Sequence, residues 1–306
     1  MSDVQLNPEW FPEHDIPPGG RSGFVRVEGR QVHYLEWGRA PAPQVLCLHG
    51  GGQTAYMYEE LGATLADRYH VLAPDLPNHG DSGPIADMDR HTLASTVPAV
   101  LDEFGFERVH LVGASLGGIV SVTFAAAHPE RAASISLIDI GHQLEDEGVA
   151  KIINFMKEHE SFASLEEAAA AVAGYLPERK KVDPTRLTRN LRQRPDGRWE
   201  WKHAYGKRLR AAEAEGRQVP TEGSWRNLLE GMDDDARSLR CPVLVLRGGK
   251  SDVLSDEGAE AITELIPDSR LAVVKDAGHL AAGDNPESTV GLIAGFLDAL
   301  SESASK

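Results

Sequence analysis

Eight short apolar runs, most of them separated by longer helical stretches, constrain the fold of this chain more than any other feature. They are Phe24–Val27, Val32–Trp37, Val45–Leu48, His70–Ala73, Val109–Val112, Ile135–Ile138, Val243–Leu246 and Leu271–Val274. Several are continuous over four or five residues, as suits strands covered on both faces. Between them the pattern turns helical, over Thr54–Ala66, Thr92–Phe104, Ser115–His128, Asp256–Leu265 and Pro286–Leu300. Strand–helix alternation with right-handed crossovers predicts an α/β fold, an eight-stranded, mostly parallel sheet with helices on both faces. The first two strands lie close enough in sequence to form a hairpin.

Residues 142–235 break this rhythm. They hold no convincing strand, only polar and Ala-rich helical segments at Val149–His159, Leu165–Gly174, Pro184–Gln193 and Ala204–Glu215. A crossover needs only about a dozen residues. The segment therefore reads as an inserted helical cap, with residues 1–141 and 236–306 as the core. Its charge runs, Glu178-Arg179-Lys180-Lys181 and Asp233-Asp234-Asp235, read as solvated helix ends and linkers.

The chemistry concentrates at Gly113-Ala114-Ser115-Leu116-Gly117, a G-x-S-x-G pattern that follows an apolar strand and opens an amphipathic helix. On so sharp a turn, side chains two residues either side of the serine would collide, which accounts for the glycines. The helix that begins there aims unpaired N–H groups at a centre where negative charge can develop. The competing reading is a serine that merely caps the helix.

With Leu48-His49-Gly50-Gly51-Gly52 after the third strand and Asp75-Leu76-Pro77-Asn78-His79-Gly80-Asp81-Ser82 after the fourth, the chain resembles the α/β-hydrolase superfamily from about Gly23 to Leu300. Asn78 departs from the glycine usual in that second turn. The resemblance implies Ser115 as nucleophile and His279, after the last strand, as the base that takes its proton. For the acid that orients the base it implies Asp252, after the seventh strand. Asp139, after the sixth, is the alternative, and Asp256 reads as an N-cap of the next helix. The oxyanion hole would use the N–H groups of Leu116 and Gly51.

Acyl transfer to Ser115 from a small-molecule ester, lactone or related acyl substrate is the reaction this implies. A serine at the elbow argues against epoxide and haloalkane chemistry. Hydrolysis of C–C bonds in the meta-cleavage manner uses the same parts, although Leu280 stands where such relatives often carry Trp. Perhydrolases tend to have an aromatic where this chain has its glycine run. Some members of the superfamily are small-molecule receptors instead.

Composition narrows the partners. The formal net charge of -16 repels polyanions, so no nucleic-acid binding is expected. No apolar run approaches the roughly 20 residues that span a bilayer, and Met1–Gly20 has no basic segment followed by an apolar one, so a cytoplasmic protein without membrane contact is expected. Cys47 and Cys241 read as small buried hydrophobes. No cofactor or metal is expected: Gly248-Gly249-Lys250-Ser251 lacks the upstream glycine of a phosphate loop, since Leu244 stands there. Trp199, Trp201, Tyr205 and Trp225 can line an acyl pocket, but packing between cap and core is the preferred reading. Oligomeric state is not legible in these residues.

Overall fold

A computed structural model of the chain describes residues 16–176, 182–203 and 225–304. Each of the eight apolar runs is a strand, somewhat longer than the run itself. These are β1 (Arg21–Val27), β2 (Arg30–Trp37), β3 (Gln44–Leu48), β4 (His70–Pro74), β5 (Val109–Ala114), β6 (Ala132–Ile138), β10 (Val243–Gly248) and β11 (Ser269–Val274). The strands numbered between, β7 (Ser161–Phe162), β8 (Leu191–Gln193) and β9 (Trp199–Trp201), lie in the insert.

The main sheet runs β1-β2-β4-β3-β5-β6-β10-β11. β1 and β2 form the expected antiparallel hairpin, Val27 opposite Arg30, and its two-residue turn places Glu28 and Gly29 at φ 50 and 79. Positive φ at both positions matches the twist of the flanking strands. β2 is also antiparallel to β4, and every pairing from β4 to β11 is parallel.

Four helices of the first half are α1 (Glu59–Leu65), α2 (Arg90–Ser95), α3 (Val97–Glu103) and α4 (Leu116–Ala127). The predicted helix Thr92–Phe104 divides near Thr96, because Pro98 in the first turn of α3 has no N–H to continue the ladder. Nor is α4 amphipathic. Leu116 to Ala125 are all buried, since the sheet covers one side of the helix while α2 and the helix Met232–Ser238 cover the other. A helix apolar all round belongs in a core. Burying a side chain such as its Phe124 contributes about 1.5–3 kcal/mol. The opposite face of the sheet packs on α1 and the C-terminal helix Pro286–Ala304.

The insert is helical only in part. It contains α5 (Asp146–Glu158), α6 (Leu165–Tyr175), a 3-10 helix at Pro184–Arg189, and a small antiparallel sheet in the order β7-β9-β8. The expectation of no strands there is corrected. Strands of two or three residues are too short to show a period of two, and Pro195-Asp196-Gly197, a strong turn sequence, is the signal that marks the β8–β9 hairpin. The predicted helix Pro184–Gln193 is accordingly a 3-10 helix followed by β8. The segment Ala204–Glu215, Tyr205 and the run 178–181 lie outside the described residues. Helix Met232–Ser238 straddles the expected boundary at 235 and sends Met232 and Ala236 into the main core.

Both cysteines are free and buried, and burial pushes the Cys241 thiol up to about 11. Among the described residues no helix is long and apolar enough to cross a membrane.

Candidate active site

Ser115 sits between β5 and α4 with φ 46 and ψ -114. A non-glycine residue held in such a region costs of order 1–3 kcal/mol, so the surroundings must hold it. They do so through the Ser115 N–H donating to Ile138 O at 3.0 Å, and through the N–H groups of Gly118 and Ile119 on its own carbonyl at 2.9 and 3.1 Å. A Cβ at Gly117 would stand 1.9 Å from Leu48 O, and one at Gly113 would stand 2.4 Å from Gly117 O. The glycines two residues either side are therefore required by backbone contact. The Ser115 side chain makes no capping hydrogen bond, which disposes of the helix-cap alternative.

The hydroxyl-bearing turn opens onto a cavity of about 930 Å³ between the sheet and the insert. Gly50, Gly51 and Gly52 line it together with Ser115, Leu116 and His279. The glycine loop is braced from below. His49 Nε2 accepts the Leu76 N–H at 2.9 Å, and its Nδ1 is 2.8 Å from Gly50 O, which makes Nδ1 the protonated nitrogen. Burial keeps His49 below the ordinary imidazole range, with Asp75 and the Gly50 carbonyl pulling the other way.

Asp75 organises the turn after β4. It accepts from Ala55 N at 2.7 Å, Asp81 N at 2.9 Å and His33 Nδ1 at 2.7 Å. Burial alone would raise its carboxyl, but the charge and hydrogen bond of His33, with His49 and the Ala55 N–H, outweigh that and hold it well below the carboxylate range. Asn78 accepts the left-handed conformation, φ 64, that a glycine would otherwise supply, and its amide donates to Ile85 O at 3.0 Å. The turn keeps its shape. His33, Asp75 and Asp81 also lie close enough together for metal ligation. Asp75 bonds His33 and two backbone N–H groups as above, and Asp81 Oδ2 pairs with Lys202 at 2.7 Å.

His–carboxylate contacts of 2.6–2.8 Å occur at His33–Asp75, His70–Glu36 and His279–Asp139. Of these histidines only His279 lines the cavity. Its Nδ1 lies 2.8 Å from Asp139 Oδ2. Asp139 is fully buried at the end of β6, at φ 50, and its Oδ1 accepts the Gly248 N–H at 2.7 Å while Oδ2 also accepts the Ser251 hydroxyl at 2.6 Å. Asp252 is elsewhere. Its side chain is 53% exposed and paired with Lys151 of α5 at 3.0 Å. The expected partnership of Asp252 with His279 is thus corrected: the alternative, Asp139, is the carboxylate at the imidazole. β6 and β10 are parallel neighbours, and the carboxylate leaving the end of β6 turns across the start of the β10 loop toward His279. Asp256 is not the N-cap of its helix either. Ser255 caps it by accepting from Gly258 N, and Asp256 pairs with Arg247 at 3.2 Å.

The insert supplies the cavity's roof. Along α5, Val149, Ile152, Ile153 and Met156 recur at helical spacing and face inward. Gly148 fixes the helix against the loop after β10, where a Cβ would stand 1.9 Å from Asp252 O. Trp201 and Trp225 line the cavity and also pack as preferred from sequence, Trp225 against the main core and Trp201 with Trp199 in a small cluster around Phe162 and Leu191. One end of the cavity is polar. Glu59 at the start of α1 receives both Arg186 and Arg189 from the 3-10 helix of the insert, and Arg189 stacks over the Tyr56 ring at 5.0 Å. His203 also lines the wall, and burial, then the neighbouring His49, lowers it to about 4. Apart from Trp201 and Trp225, these insert residues could not be assigned from sequence, because no motif marks them.

An eight-stranded, mostly parallel sheet with a strained serine at a strand–helix turn, beneath an inserted roof, is the arrangement of an α/β hydrolase. The chain belongs to the alpha/beta hydrolase fold family, whose model matches residues 43–286. It is similar to an esterase of Mycobacterium tuberculosis, 27% identical over 286 residues that cover 89% of this chain and 88% of the relative. It is also similar to 2-hydroxy-6-oxo-6-phenylhexa-2,4-dienoate hydrolase of Comamonas testosteroni, 26% identical over 303 residues that cover 92% and 98%. The crystal structure of E-2-(acetamidomethylene)succinate hydrolase shares the fold, with a TM-score of 0.76 at 23% identity, over 91% of this chain and 99% of that one. The relatives are hydrolases, and a hydrolase is what the family membership supports.

Proposed function

We propose that this chain is a serine hydrolase acting on a small-molecule carboxylic ester, lactone or related acyl substrate through an acyl-enzyme. One observation carries the reading: Ser115, strained at the strand–helix turn, shares a cavity with His279, and Asp139 holds the far nitrogen of that imidazole at 2.8 Å. With Nδ1–H donated to Asp139, Nε2 is left as the basic nitrogen for the serine proton.

Ser115 Oγ attacks the acyl carbon as His279 takes its proton. The oxyanion is met by the N–H groups of Leu116 and Gly51, each such donor being worth about 2.7–4 kcal/mol to the transition state. His279 then returns the proton to the leaving group, and water, activated by the same imidazole, releases the acid. Asp139 keeps hold of Nδ1–H and stabilises the imidazolium.

The test is a fluorophosphonate probe followed by a panel of short-chain aryl esters, lactones and a vinylogous diketone. The expected result is a mass shift on Ser115, burst kinetics on the aryl ester, and loss of both in a folded Ser115→Ala variant. Similarity to a dienoate hydrolase over nearly the whole chain favours C–C hydrolysis as a second reading, and turnover of the vinylogous diketone in preference to the esters would establish it. Binding without turnover of any panel member would mark a receptor and defeat both.

A further inference from the structure

Beyond the three groups that handle the proton, we infer that Ser251 is a positioning residue for the Asp139–His279 pair, an inference that rests on the triad proposed above. The hydroxyl stands at a junction. Ser251 Oγ donates to Asp139 Oδ2 at 2.6 Å and accepts the N–H groups of Val253 and Leu254 at 3.2 Å each. A serine hydroxyl has one proton and two lone pairs. With both lone pairs facing backbone donors, the proton has a single useful direction, toward the carboxylate.

The oxygen that receives it is the one that receives His279. Asp139 Oδ2 takes Ser251 Oγ–H and His279 Nδ1–H, and Oδ1 takes the Gly248 N–H. Three donors on a fully buried carboxylate leave its plane no freedom to rotate, so the imidazole it holds is fixed as well. The shared oxygen has a second consequence. A hydrogen bond from Ser251 draws charge from Oδ2 and tempers how strongly it stabilises an imidazolium. The residue that follows, Asp252, is turned outward to Lys151, so the loop after β10 reaches the imidazole's carboxylate through a neutral hydroxyl and not through a second charge. A second carboxylate beside Asp139 would set like charges against each other in a buried site.

Other ionisable groups lie on the elements around the imidazole, Lys250 among them, paired with Asp276 at 3.3 Å. Asp284, on the turn Ala281–Asp284, accepts the Gly278 N–H at 3.1 Å, and Tyr175 of α6 is held protonated by burial, with Asp252 and Asp284 adding to the effect. The Lys151–Asp252 pair lies at the α5 side. None of these contacts involves the Ser251 hydroxyl.

The experiment is the pH dependence of kcat/KM on a short-chain aryl ester for the wild type, Ser251→Ala, Ser251→Thr and Asp139→Asn. Ser251→Ala is expected to lower kcat on the order of tenfold with KM little changed, as loss of one hydrogen bond to a charge predicts. Its acid limb should move to higher pH, because the untempered carboxylate favours the imidazolium, and Ser251→Thr should restore both. If Ser251→Ala fails to fold, Ser251→Cys, a weak donor of similar size, should show the same two changes in smaller measure. A folded Ser251→Ala with wild-type kcat and an unmoved acid limb overturns the role given to Ser251. Full activity in Asp139→Asn would instead overturn the triad on which it rests.

Discussion

Lys151 of α5 holds Asp252 at 3.0 Å, on the solvent side of the loop after β10 and away from the imidazole that the sequence pattern assigns to it. Exposed pairs of this kind add little to stability, so the contact matters more for where it puts the carboxylate. Asp252→Asn is expected to leave kcat on an aryl ester within a few-fold of wild type. Asp139→Asn should lower it by on the order of 10⁴, the cost of losing the correct tautomer. Steady-state kinetics on the two folded variants checks the assignment, and equal losses would count against it.

Buried histidines should make the fold sensitive to mild acid. Burial, then the neighbouring His49, lowers His79 to about 3, and burial with Arg108 lowers His110 to about 4, both from 6.5. His203 lies at about 4 for similar reasons. In the unfolded chain these rings take up protons near their ordinary value. Between that value and the folded one the unfolded state binds more protons, so stability is complete above about pH 6.5 and falls as the pH drops toward about 4. Urea midpoints across this window should decline steeply, and His79→Asn should flatten the decline by about one proton's worth of slope.

Among the described residues Glu59 is the carboxylate that meets both Arg186 and Arg189, and its side chain is only 8% exposed. Removing one partner of a buried pair typically costs about 3–5 kcal/mol, and loss of Glu59 leaves Arg189, only 14% exposed, without its carboxylate. Glu59→Ala should therefore lower the urea midpoint substantially. Arg186→Ala, which takes away the more exposed of the two guanidiniums, should cost much less.

Two glycine substitutions should act in opposite directions. At Gly117 a methyl group would meet the Leu48 carbonyl, a backbone atom that cannot step aside, so Gly117→Ala should cost at least about 1–3 kcal/mol and disturb the serine turn. Gly291 lies within helix Pro286–Ala304 with nothing near its missing Cβ. Gly291→Ala should stabilise by about 0.5–1 kcal/mol. Thermal or urea unfolding of both variants checks the pair.

The eight strands, their hairpin start and the serine turn were legible because each is written in a short stretch of chain. A buried parallel strand needs an unbroken apolar run, and the turn at Ser115 needs glycines that its own neighbours would otherwise obstruct. Where the helices α2 and α3 divide was also legible in principle, at Pro98. The short strands of the insert were not, since two or three residues carry no period, and α4 looked amphipathic because sequence does not show what covers its second face.

What the sequence by itself determined is the order of strands and helices, the strained turn and two residues that share the cavity, Ser115 and His279. Tertiary structure alone decided which carboxylate meets the imidazole, and what lines the roof above it. Asp139 and Asp252 stand at equivalent-looking ends of neighbouring strands. Only packing buries one of them under three hydrogen-bond donors and turns the other out to a lysine, because the direction a side chain takes from a strand end depends on neighbours far away in the chain.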